Sequence, residues 1–350
     1  LETEVEKVLK EQAVCFYAEL PSKGLGSAVC VGQILPGSDI TWSTHCSQDR
    51  LPKVRALIHR WSGPIACAVL GPRGSLRSLR AEAEELCRLA GPRLALALFA
   101  CGGSGKYPAN GLRASSLELV SSRWALVADV DLLPSLGLQE ALSGLPLPPP
   151  GVCGKSPPSC FVVPAFEACG EAAVDLNRLL DLDVATARDQ LRSLHDTGQA
   201  GLFHGQSFPA GHAATDLALW LAKDTVQTSY AIQWEEGFEP YALVDVQRLP
   251  SFDLRFDQFF RHDKHSLYAE MAASAWHFRV LRDGFLVDQP HDKTGPPPSE
   301  EDHALRVHAS GLMRRKFREL RCRQLQTVFG TLEDWSASAA CPCPAHCAGE

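Results

Sequence analysis

Two aspartates two residues apart, Asp129 and Asp131, follow an apolar run at residues 124–128. Such a run predicts a buried β-strand, and in open α/β sheets ligands bind beyond the carboxyl ends of the strands. The two-residue period of extended backbone directs both carboxylates to the same side of the chain. Carboxylate oxygens are hard ligands that suit Mg²⁺ or Mn²⁺, and either ion can bridge to a diphosphate. The spacing therefore indicates a divalent-metal site formed by Asp129 and Asp131.

A second Asp-x-Asp pair, Asp181 and Asp183, lies inside a helical pattern and has no apolar strand before it. Short motifs recur by chance, so the elements around them have to separate sites from coincidences. We interpret this second pair as the solvated end of a helix, and we expect no ligand there.

The residues around Asp129 alternate between strand and helix patterns. Strands are predicted at 39–44, 65–70, 94–100, 124–128 and 161–163, and helices at 49–61, 76–89, 111–122, 173–194 and 303–329. Two further strands, 276–281 and 285–287, are predicted to form a hairpin around an Asp-Gly turn. Alternation of this kind predicts an α/β fold with a mixed, mostly parallel sheet and helices on both faces.

The chain of 350 residues is acidic, with a formal net charge of −7, and its one concentrated basic segment is 314–323. We interpret that segment as the solvated face of a helix, so no nucleic-acid partner is expected. No apolar run approaches the roughly 18–20 residues of a membrane span, so no membrane anchor is expected in this chain. The chain starts at Leu1 rather than Met, as expected of a fragment that has lost a targeting region.

The 13 cysteines allow two interpretations. An oxidising compartment would pair some of them as disulfides. Alternatively, many are small core residues, as the apolar run around Cys67 suggests. No Cys-x-x-Cys pair occurs, so a structural zinc site is not expected.

Further segments follow one another in a fixed order along most of the chain. They are residues 44–51, 106–113, 127–135, 161–167, 203–204, 211–216 with Trp220, 238–244 and 289–291. Together they resemble the LARGE and β-1,4-glucuronyltransferase family, glycosyltransferase family 49, over about residues 38–325. The resemblance implies a GT-A-like fold and inverting transfer of a sugar, typically glucuronic acid, from a UDP-sugar donor to a glycan or glycoprotein acceptor. It also implies the Golgi lumen or another secretory compartment.

The resemblance also implies a metal site of three ligands. In the family the Asp-x-Asp pair binds Mn²⁺ and a late histidine completes the site, which places the ligands here at Asp129, Asp131 and His291, with Mg²⁺ as the other possible ion. A metal would offset charge on a departing diphosphate, and imidazole is an acceptable ligand for Mn²⁺. Without the resemblance, His291 would be interpreted as a surface histidine in a proline-flanked loop.

Several donor-binding positions are implied in the same way. They are His45, Ser47, Arg50, Asn110, Arg113, Asp129, Glu167 and His212. Arg50 is equally open to interpretation as the solvated charge at a helix start, and Arg113 as an ordinary charge on a helix face. Glu167 follows an apolar strand and is expected to have a polar partner, because a buried carboxylate without one costs free energy.

Inverting transfer by a single displacement needs one general base near the acceptor hydroxyl. The candidates are Asp263, Asp216 and Glu239. Asp263 comes first, because inverting enzymes of this fold often place their base in the corresponding segment.

Residues 257–264, which follow Arg255 and Phe256, depart from the family pattern. The family has a Gly-aromatic-Gly stretch here, whereas this chain has Gln258 and Phe260 in place of the glycines. Glycines at such positions let the backbone approach a ligand closely. The departure keeps open a catalytically impaired GT-A protein or a sugar-binding module. A metal-dependent phosphoesterase would need a second metal cluster or a nucleophile, and the sequence suggests neither.

Four parts of the chain are expected from these patterns. They are an N-terminal extension at 1–25, a nucleotide-sugar half at 26–150, an acceptor half with the C-terminal helix at 151–330, and a Cys-, Pro- and Ala-rich tail at 331–350. The two halves are expected to belong to one domain.

Overall fold

Two β-sheets and the helices packed on them make up this computed structural model, which describes residues 28–32, 34, 40–72, 74–101, 107–147, 157–169, 174–222, 227–257, 262–289 and 300–329. The strands are β1 (Ala28–Val31), β2 (Ile40–Ser47), β3 (Ile65–Pro72), β4 (Leu94–Cys101), β5 (Trp124–Val127), β6 (Leu132–Pro134), β7 (Ser159–Val163), β8 (Ala165–Ala168), β9 (Ala200–Leu202), β10 (Ser229–Ile232), β11 (Tyr241–Asp245), β12 (His277–Leu281) and β13 (Leu286–Asp288). The α-helices are α1 (Leu51–Arg60), α2 (Leu76–Ala90), α3 (Ala109–Glu118), α4 (Leu138–Ser143), α5 (Val184–Asp196), α6 (Leu217–Leu221), α7 (Asp263–Ala273) and α8 (Glu300–Phe329).

The larger sheet has the strand order β1-β4-β3-β2-β5-β11-β7-β12-β10. Its neighbours β4, β3, β2 and β5 are parallel, and helices α1, α2 and α3 connect them. Antiparallel pairs surround this block, because β11 runs opposite to both β5 and β7. The predicted α/β fold with a mixed sheet is confirmed, and its parallel pairs are concentrated in the first half of the chain.

Side chains of different size cover the two faces of the parallel strands. Cys67, Val69 and Leu96 pack in the main core, which also contains the buried residues of α1 and α2. The opposite face presents small side chains such as Ala68 and Ala97, which pack with Leu112 of α3. Small residues allow α3 to lie close to the sheet, and they therefore set the position of the side chains that α3 carries.

The smaller sheet has the order β6-β13-β8-β9 and corrects the predicted hairpin. Strand β12 pairs with β7 and β10 in the larger sheet, whereas β13 pairs with β6 and β8 in the smaller one. Between them, the buried guanidinium of Arg282 donates to the carbonyl oxygen of Leu219 over 3.0 Å. The hairpin prediction is wrong because this contact and the non-local strand partners carry the chain from one sheet to the other.

The second Asp-x-Asp pair lies at a helix start. The predicted helix 173–194 is divided into a 3₁₀ segment, Leu176–Asp181, and α5. Asp183 is the N-cap of α5, and its carboxylate accepts the backbone N–H of Thr186 at 3.0 Å. Asp181 is exposed and pairs with Arg60. Both aspartates have ordinary surface roles, as the sequence interpretation expects.

Helix α8 packs against α7 through a small separate core that includes Phe256, Leu312 and Met313. Lys316, which the sequence interpretation places on a solvated face, is instead 3% exposed. Its ammonium group donates to Asp253 at 3.0 Å and to Glu270 at 2.8 Å. A buried cation needs such partners, and these two are supplied by residues distant in sequence.

Seven of the 13 cysteines have described side chains. Five of these are buried, namely Cys30, Cys46, Cys67, Cys87 and Cys160. For these five the core interpretation holds. Across the described ranges, none of the helices combines the length and the apolar character that crossing a bilayer requires.

Candidate active site

Polar and charged side chains converge beyond the carboxyl end of β5, where the sheet contributes residues from several strands. Asp129 lies two residues after Val127, the last residue of β5. Strand β2, parallel to β5, brings His45, and β11, antiparallel to β5, begins with Tyr241. Helices α3 and α7 add the remaining groups. The topology therefore gathers residues separated by up to 219 positions around one carboxylate.

Asp129 lies at the centre of this cluster. Its Oδ2 accepts from the Tyr241 hydroxyl at 2.7 Å and from the Lys264 ammonium at 3.1 Å. Its Oδ1 lies 3.4 Å from Nη2 of Arg113 and 3.8 Å from Nε2 of His45. Burial alone would raise the pKa of Asp129, but Lys264 and Arg113 lower it well below its usual range. The carboxylate is therefore ionised at every physiological pH.

Arg113 connects Asp129 to Asp263. Its guanidinium is 5% exposed, and Nη1 donates to Oδ2 of Asp263 at 2.5 Å and to Oδ1 of Asn110 at 3.3 Å. Burial opposes the charge on Arg113, but Asp263 and Asp129 more than compensate and raise its pKa. Burial would also raise the pKa of Asp263, and Arg113 with Lys264 lowers it instead. Asp263 is consequently an ion-pair partner rather than a strong base.

Asp131 lies on the other side of the loop and has a different cation. Nη1 of Arg50 donates to both carboxylate oxygens at 2.5 Å, and Nζ of Lys53 is 4.0 Å from Oδ1. The backbone carbonyl of Asp131 accepts the N–H of Gln289 at 2.7 Å. This bond continues the pairing of β13 with β6 and holds the chain just before residue 291 beside Asp131.

Glu239 is half-buried between Phe238 and Pro240, just before β11. Its backbone N–H donates to the carbonyl of Gly211 at 3.0 Å, which fixes the position of the residue. Burial raises the pKa of its carboxyl group to about 7, with Lys264 lowering it and Asp263 raising it. A carboxyl with this pKa exchanges a proton near neutral pH, which is the property of a general base or acid.

Two buried histidines face the cluster in their neutral form. Nδ1 of His45 hydrogen-bonds the Tyr107 hydroxyl at 2.7 Å, and its buried Nε2 has no hydrogen-bond partner among the described residues. Burial, with a contribution from Arg113, lowers the pKa of His45 to about 3. Burial and the nearby Lys264 likewise lower the pKa of His212 to about 3. Nε2 of His45 is thus a buried polar atom 3.8 Å from Oδ1 of Asp129.

Aromatic rings line one side of the cluster. The ring of His212 lies 5.6 Å from those of both Phe203 and Tyr241, and the Lys264 ammonium lies 4.1 Å from the centre of the Tyr241 ring. His204, with its ring 4.1 Å from that of Phe203, has a φ of 56°. Positive φ is uncommon for a residue with a Cβ, and such strain concentrates at functional sites. Tyr241 is 1% and His212 4% exposed, so these two rings form a buried wall behind the charges.

The structure brings together nine of the residues predicted from sequence, namely His45, Arg50, Asn110, Arg113, Asp129, Asp131, His212, Glu239 and Asp263. Ser47 ends β2 and begins a 3₁₀ turn, without a side-chain cap bond. Glu167 lies in β8 of the smaller sheet, opposite Gly201.

Asp216 corrects the list of candidate bases. It is exposed, has a φ of 55°, and its carboxylate accepts the N–H of Leu219 at 3.0 Å as the N-cap of α6. A carboxylate used in this way stabilises a helix start. Its left-handed backbone explains why it directs its oxygen to its own helix rather than to the cluster.

Sequence reasoning assigned no role to Lys53, Tyr107, Tyr241 and Lys264, all of which contact the site. Tyr107 and Tyr241 lie inside segments 106–113 and 238–244, which carry the family resemblance, and Lys264 directly follows Asp263. These three residues could have been found from the sequence, because each is a polar residue in a segment already expected at the site. Asp257 was missed as well, and no local pattern marks it.

Two of the three predicted metal ligands, Asp129 and Asp131, lie in the described part of the chain. Within the ranges that the structure describes, no three His, Cys, Asp or Glu side chains are grouped as metal ligands, and His291 lies outside those ranges. Asp129 and Asp131 nevertheless suit Mn²⁺ or Mg²⁺ chemically, because they supply hard carboxylate oxygens. Each carboxylate oxygen has more than one lone pair, so Asp131 can bind a metal while it still accepts from Arg50.

Comparisons with known proteins identify the family of this chain. The sequence model of the family described as "Glycosyl-transferase for dystroglycan" matches residues 90–327. The chain is 30% identical over 261 residues to the xylosyl- and glucuronyltransferase LARGE1 of Danio rerio, and 29% identical over 261 residues to that of Homo sapiens. Each match covers 73% of this chain and 31% of the relative, so the chain spans about a third of the length of these relatives.

Among solved structures, the chain is similar to S. aureus TarS 1-349 in complex with UDP-GlcNAc, with a TM-score of 0.41 and 10% identity over 85% of this chain and 77% of that one. The family match covers more than half of the residues, including Asp129, Asp131, Glu239 and Asp263. The chain belongs to the glycosyltransferase family described as glycosyl-transferases for dystroglycan.

Proposed function

We propose that this chain is an inverting glycosyltransferase that moves a sugar from a UDP-sugar donor to a glycan acceptor. The observation that carries the proposal is the cluster around Asp129 and Asp131, which combines two carboxylates with the cations Arg50, Lys53, Arg113 and Lys264. A donor diphosphate is an anion that gains charge as the sugar leaves. Fixed cations at that position stabilise the transition state more than the ground state, which is how electrostatic catalysis works.

We further propose that Asp129, Asp131 and His291 hold Mn²⁺, with Mg²⁺ as the other candidate. The hydrogen bond from Gln289 to the carbonyl of Asp131 supports this set, since only one residue separates Gln289 from His291. When bound, the ion would neutralise charge on the leaving diphosphate. Arg50 would then exchange its contact with Asp131 for a contact with a phosphate oxygen, a planar bidentate pairing that arginine favours.

Glu239 is the proposed general base. The reaction needs a group that removes the proton from the acceptor hydroxyl while that oxygen forms its bond to the sugar C1 and the bond from C1 to the diphosphate oxygen breaks. UDP leaves with the electron pair, and the proton stays on the Glu239 carboxyl. A pKa of about 7 for Glu239 suits this task. Asp263, whose pKa Arg113 and Lys264 lower against the effect of burial, is proposed to orient Arg113 instead.

The donor sugar follows from the relatives and is part of the proposal. Relatives named xylosyl- and glucuronyltransferases suggest UDP-glucuronic acid first and UDP-xylose second. The acceptor would be a glycan or glycoprotein. Natural location in the Golgi lumen or another secretory compartment is proposed with the family, and protease protection of the natural protein in sealed microsomes would test it.

The experiment that tests the function is a donor screen. Purified protein with Mn²⁺ is titrated with UDP-glucuronic acid, UDP-xylose, UDP-GlcNAc and a GDP-sugar, and donor hydrolysis is measured with and without acceptor glycans. Binding of UDP-sugars but not of the GDP-sugar, with acceptor-dependent release of UDP, is expected. Binding without turnover under any acceptor would support the impaired protein or sugar-binding module. Absence of binding to every UDP-sugar would overturn the proposal.

A further inference from the structure

Helix α3 begins without a capping side chain of its own. Its N-cap position is Pro108, which makes no side-chain cap bond. The first N–H groups of a helix have no acceptor within the helix, so another group must supply one. Here the acceptor is Asp257, 147 residues further along the chain than Asn110.

The carboxylate of Asp257 satisfies two of these N–H groups. Its Oδ1 accepts the N–H of Asn110 at 2.6 Å, and both of its oxygens lie 3.1 Å from the N–H of Gly111. A negative charge at this end also interacts favourably with the helix dipole. The contact therefore joins the loop before α7 to the helix that carries Arg113.

The Asn110 side chain also joins α3 to the segment that contains Asp257. Its Nδ2 donates to the carbonyl oxygens of Asp253 at 2.9 Å and of Asp263 at 3.2 Å, one on each side of Asp257 in the chain. Its Oδ1 accepts from Nη1 of Arg113 at 3.3 Å. Asn110, in the first turn of α3, thus binds the chain on both sides of Asp257 and also holds the Arg113 guanidinium that donates to Asp263.

We propose that Asp257 is a positioning residue of the donor site, which holds Arg113 against Asp129 and Asp263 by capping α3. The inference deepens the proposed function and rests on it, because Arg113 acts on the donor diphosphate in that function. Asp257 belongs to the segment in which the family glycines are absent. In this chain the first residue of the altered stretch makes a specific contact with the donor-side helix, which is not expected of a segment that has lost its role.

Two measurements on the same variants test the inference. Amide hydrogen exchange at Asn110 and Gly111 reports on the cap itself. Calorimetric titration with UDP in the presence of Mn²⁺ reports on the donor site. The variants are Asp257→Ala, the conservative Asp257→Asn, and Asp183→Asn as the matched control, since the exposed Asp183 carboxylate also caps a helix but does so at the start of α5.

In Asp257→Ala we expect exchange at the two amides to accelerate at least about 10-fold and the Kd for UDP to rise about 10-fold, in line with the loss of a helix cap. Asp257→Asn retains one acceptor oxygen and should lie between Asp257→Ala and the parent. Asp183→Asn should leave both quantities within about 2-fold of the parent. If Asp257 acts through Arg113, adding Asp257→Ala to an Arg113→Lys variant should weaken UDP binding less than about 2-fold further, because coupled residues are not additive.

Each contrary result has a distinct meaning. Unchanged exchange at Asn110 and Gly111 would show that Asp257 is not the cap. Faster exchange with an unchanged Kd for UDP, or full additivity with Arg113→Lys, would show that the cap is structural and overturn the positioning role. A parent protein that binds no UDP would instead overturn the proposed function and the positioning role with it, while the exchange data would still establish the cap.

Discussion

Nη1 of Arg113 and Oδ2 of Asp263 lie 2.5 Å apart, although 150 residues separate them in the chain. The bond joins the start of α7 to α3 at the edge of the sheet where β5 ends. It also explains why Asp263, the first candidate for the general base, has a lowered pKa and is a poor proton acceptor. Glu239, half-buried and without a hydrogen bond from any described side chain, is the better candidate.

Replacing Arg113 should destabilise the fold as well as the donor site. Arg113→Ala removes the partner of two partly buried carboxylates, and breaking a buried pair from one side costs about 3–5 kcal/mol. Urea unfolding should detect a loss of this order. Arg55→Ala is the matched control, because Arg55 and Glu85 are exposed and such pairs contribute about 0–1 kcal/mol. Equal losses in the two variants would contradict the assigned role of Arg113.

Turnover should depend on the protonation of Glu239. Because the base acts as a carboxylate, kcat/KM should rise with pH through an apparent pKa of about 7. Glu239→Gln should reduce kcat about 10²–10⁴-fold and remove that dependence, whereas Glu236→Gln, an exposed neighbour, should not. A variant Asp263→Asn that loses the pH dependence while Glu239→Gln keeps it would return the role to Asp263.

The same carboxyl makes a prediction about stability. Its pKa in the folded protein is raised above the unfolded value, so the folded state binds more protons between these two values. Stability contributed by neutral Glu239 is present at low pH and is lost as the pH rises through about 7. Glu239→Gln should therefore gain stability relative to the parent at pH 8 compared with pH 5, as measured by thermal unfolding. If the difference in stability between Glu239→Gln and the parent is the same at pH 5 and pH 8, the pKa of Glu239 is not raised.

The buried histidines should make the fold sensitive to acid. The pKa values of His45 and His212 are lowered in the folded state, so the unfolded chain binds more protons below about pH 6.5. Between pH 7 and pH 5, each histidine should reduce the free energy of unfolding by about 1–2 kcal/mol. His212→Phe should reduce the loss in free energy of unfolding between pH 7 and pH 5 by about 1–2 kcal/mol. His59→Phe, on the surface, should leave that loss unchanged. Identical pH profiles for the parent and His212→Phe would show that His212 is not held neutral.

The two Asp-x-Asp pairs should differ in metal dependence. Asp131→Asn removes a charged ligand and should raise the Mn²⁺ concentration needed for UDP binding by at least about 10-fold, which metal titration would measure. His291→Ala should have a smaller effect in the same direction. Asp181→Asn should leave the titration unchanged, because that carboxylate pairs with Arg60 on the surface.

If His291→Ala titrates like the parent, the three-ligand site is wrong. If a chelator leaves UDP binding intact, the four cations alone hold the diphosphate.

Local patterns were sufficient for much of the donor half. Apolar runs and helical spacing predicted β2 to β5 and α1 to α3 within a few residues, because each element buries a continuous face and ends at a turn signal. The same context separated Asp129 and Asp131 from the second Asp-x-Asp pair, since only the first pair follows a buried strand.

What the sequence by itself determined, then, was the α/β class, the family and the central carboxylate pair, because strand period, helix period and motif order are properties of short stretches. Only the tertiary structure decided which charges meet. Arg113 with Asp263, Asp257 with the start of α3, and Tyr241 with Asp129 are joined across more than 110 residues. It also separated β12 from β13 and made Asp216 a helix cap. These outcomes depend on which distant element covers each polar group, and that competition for buried hydrogen-bond partners leaves no local pattern to read.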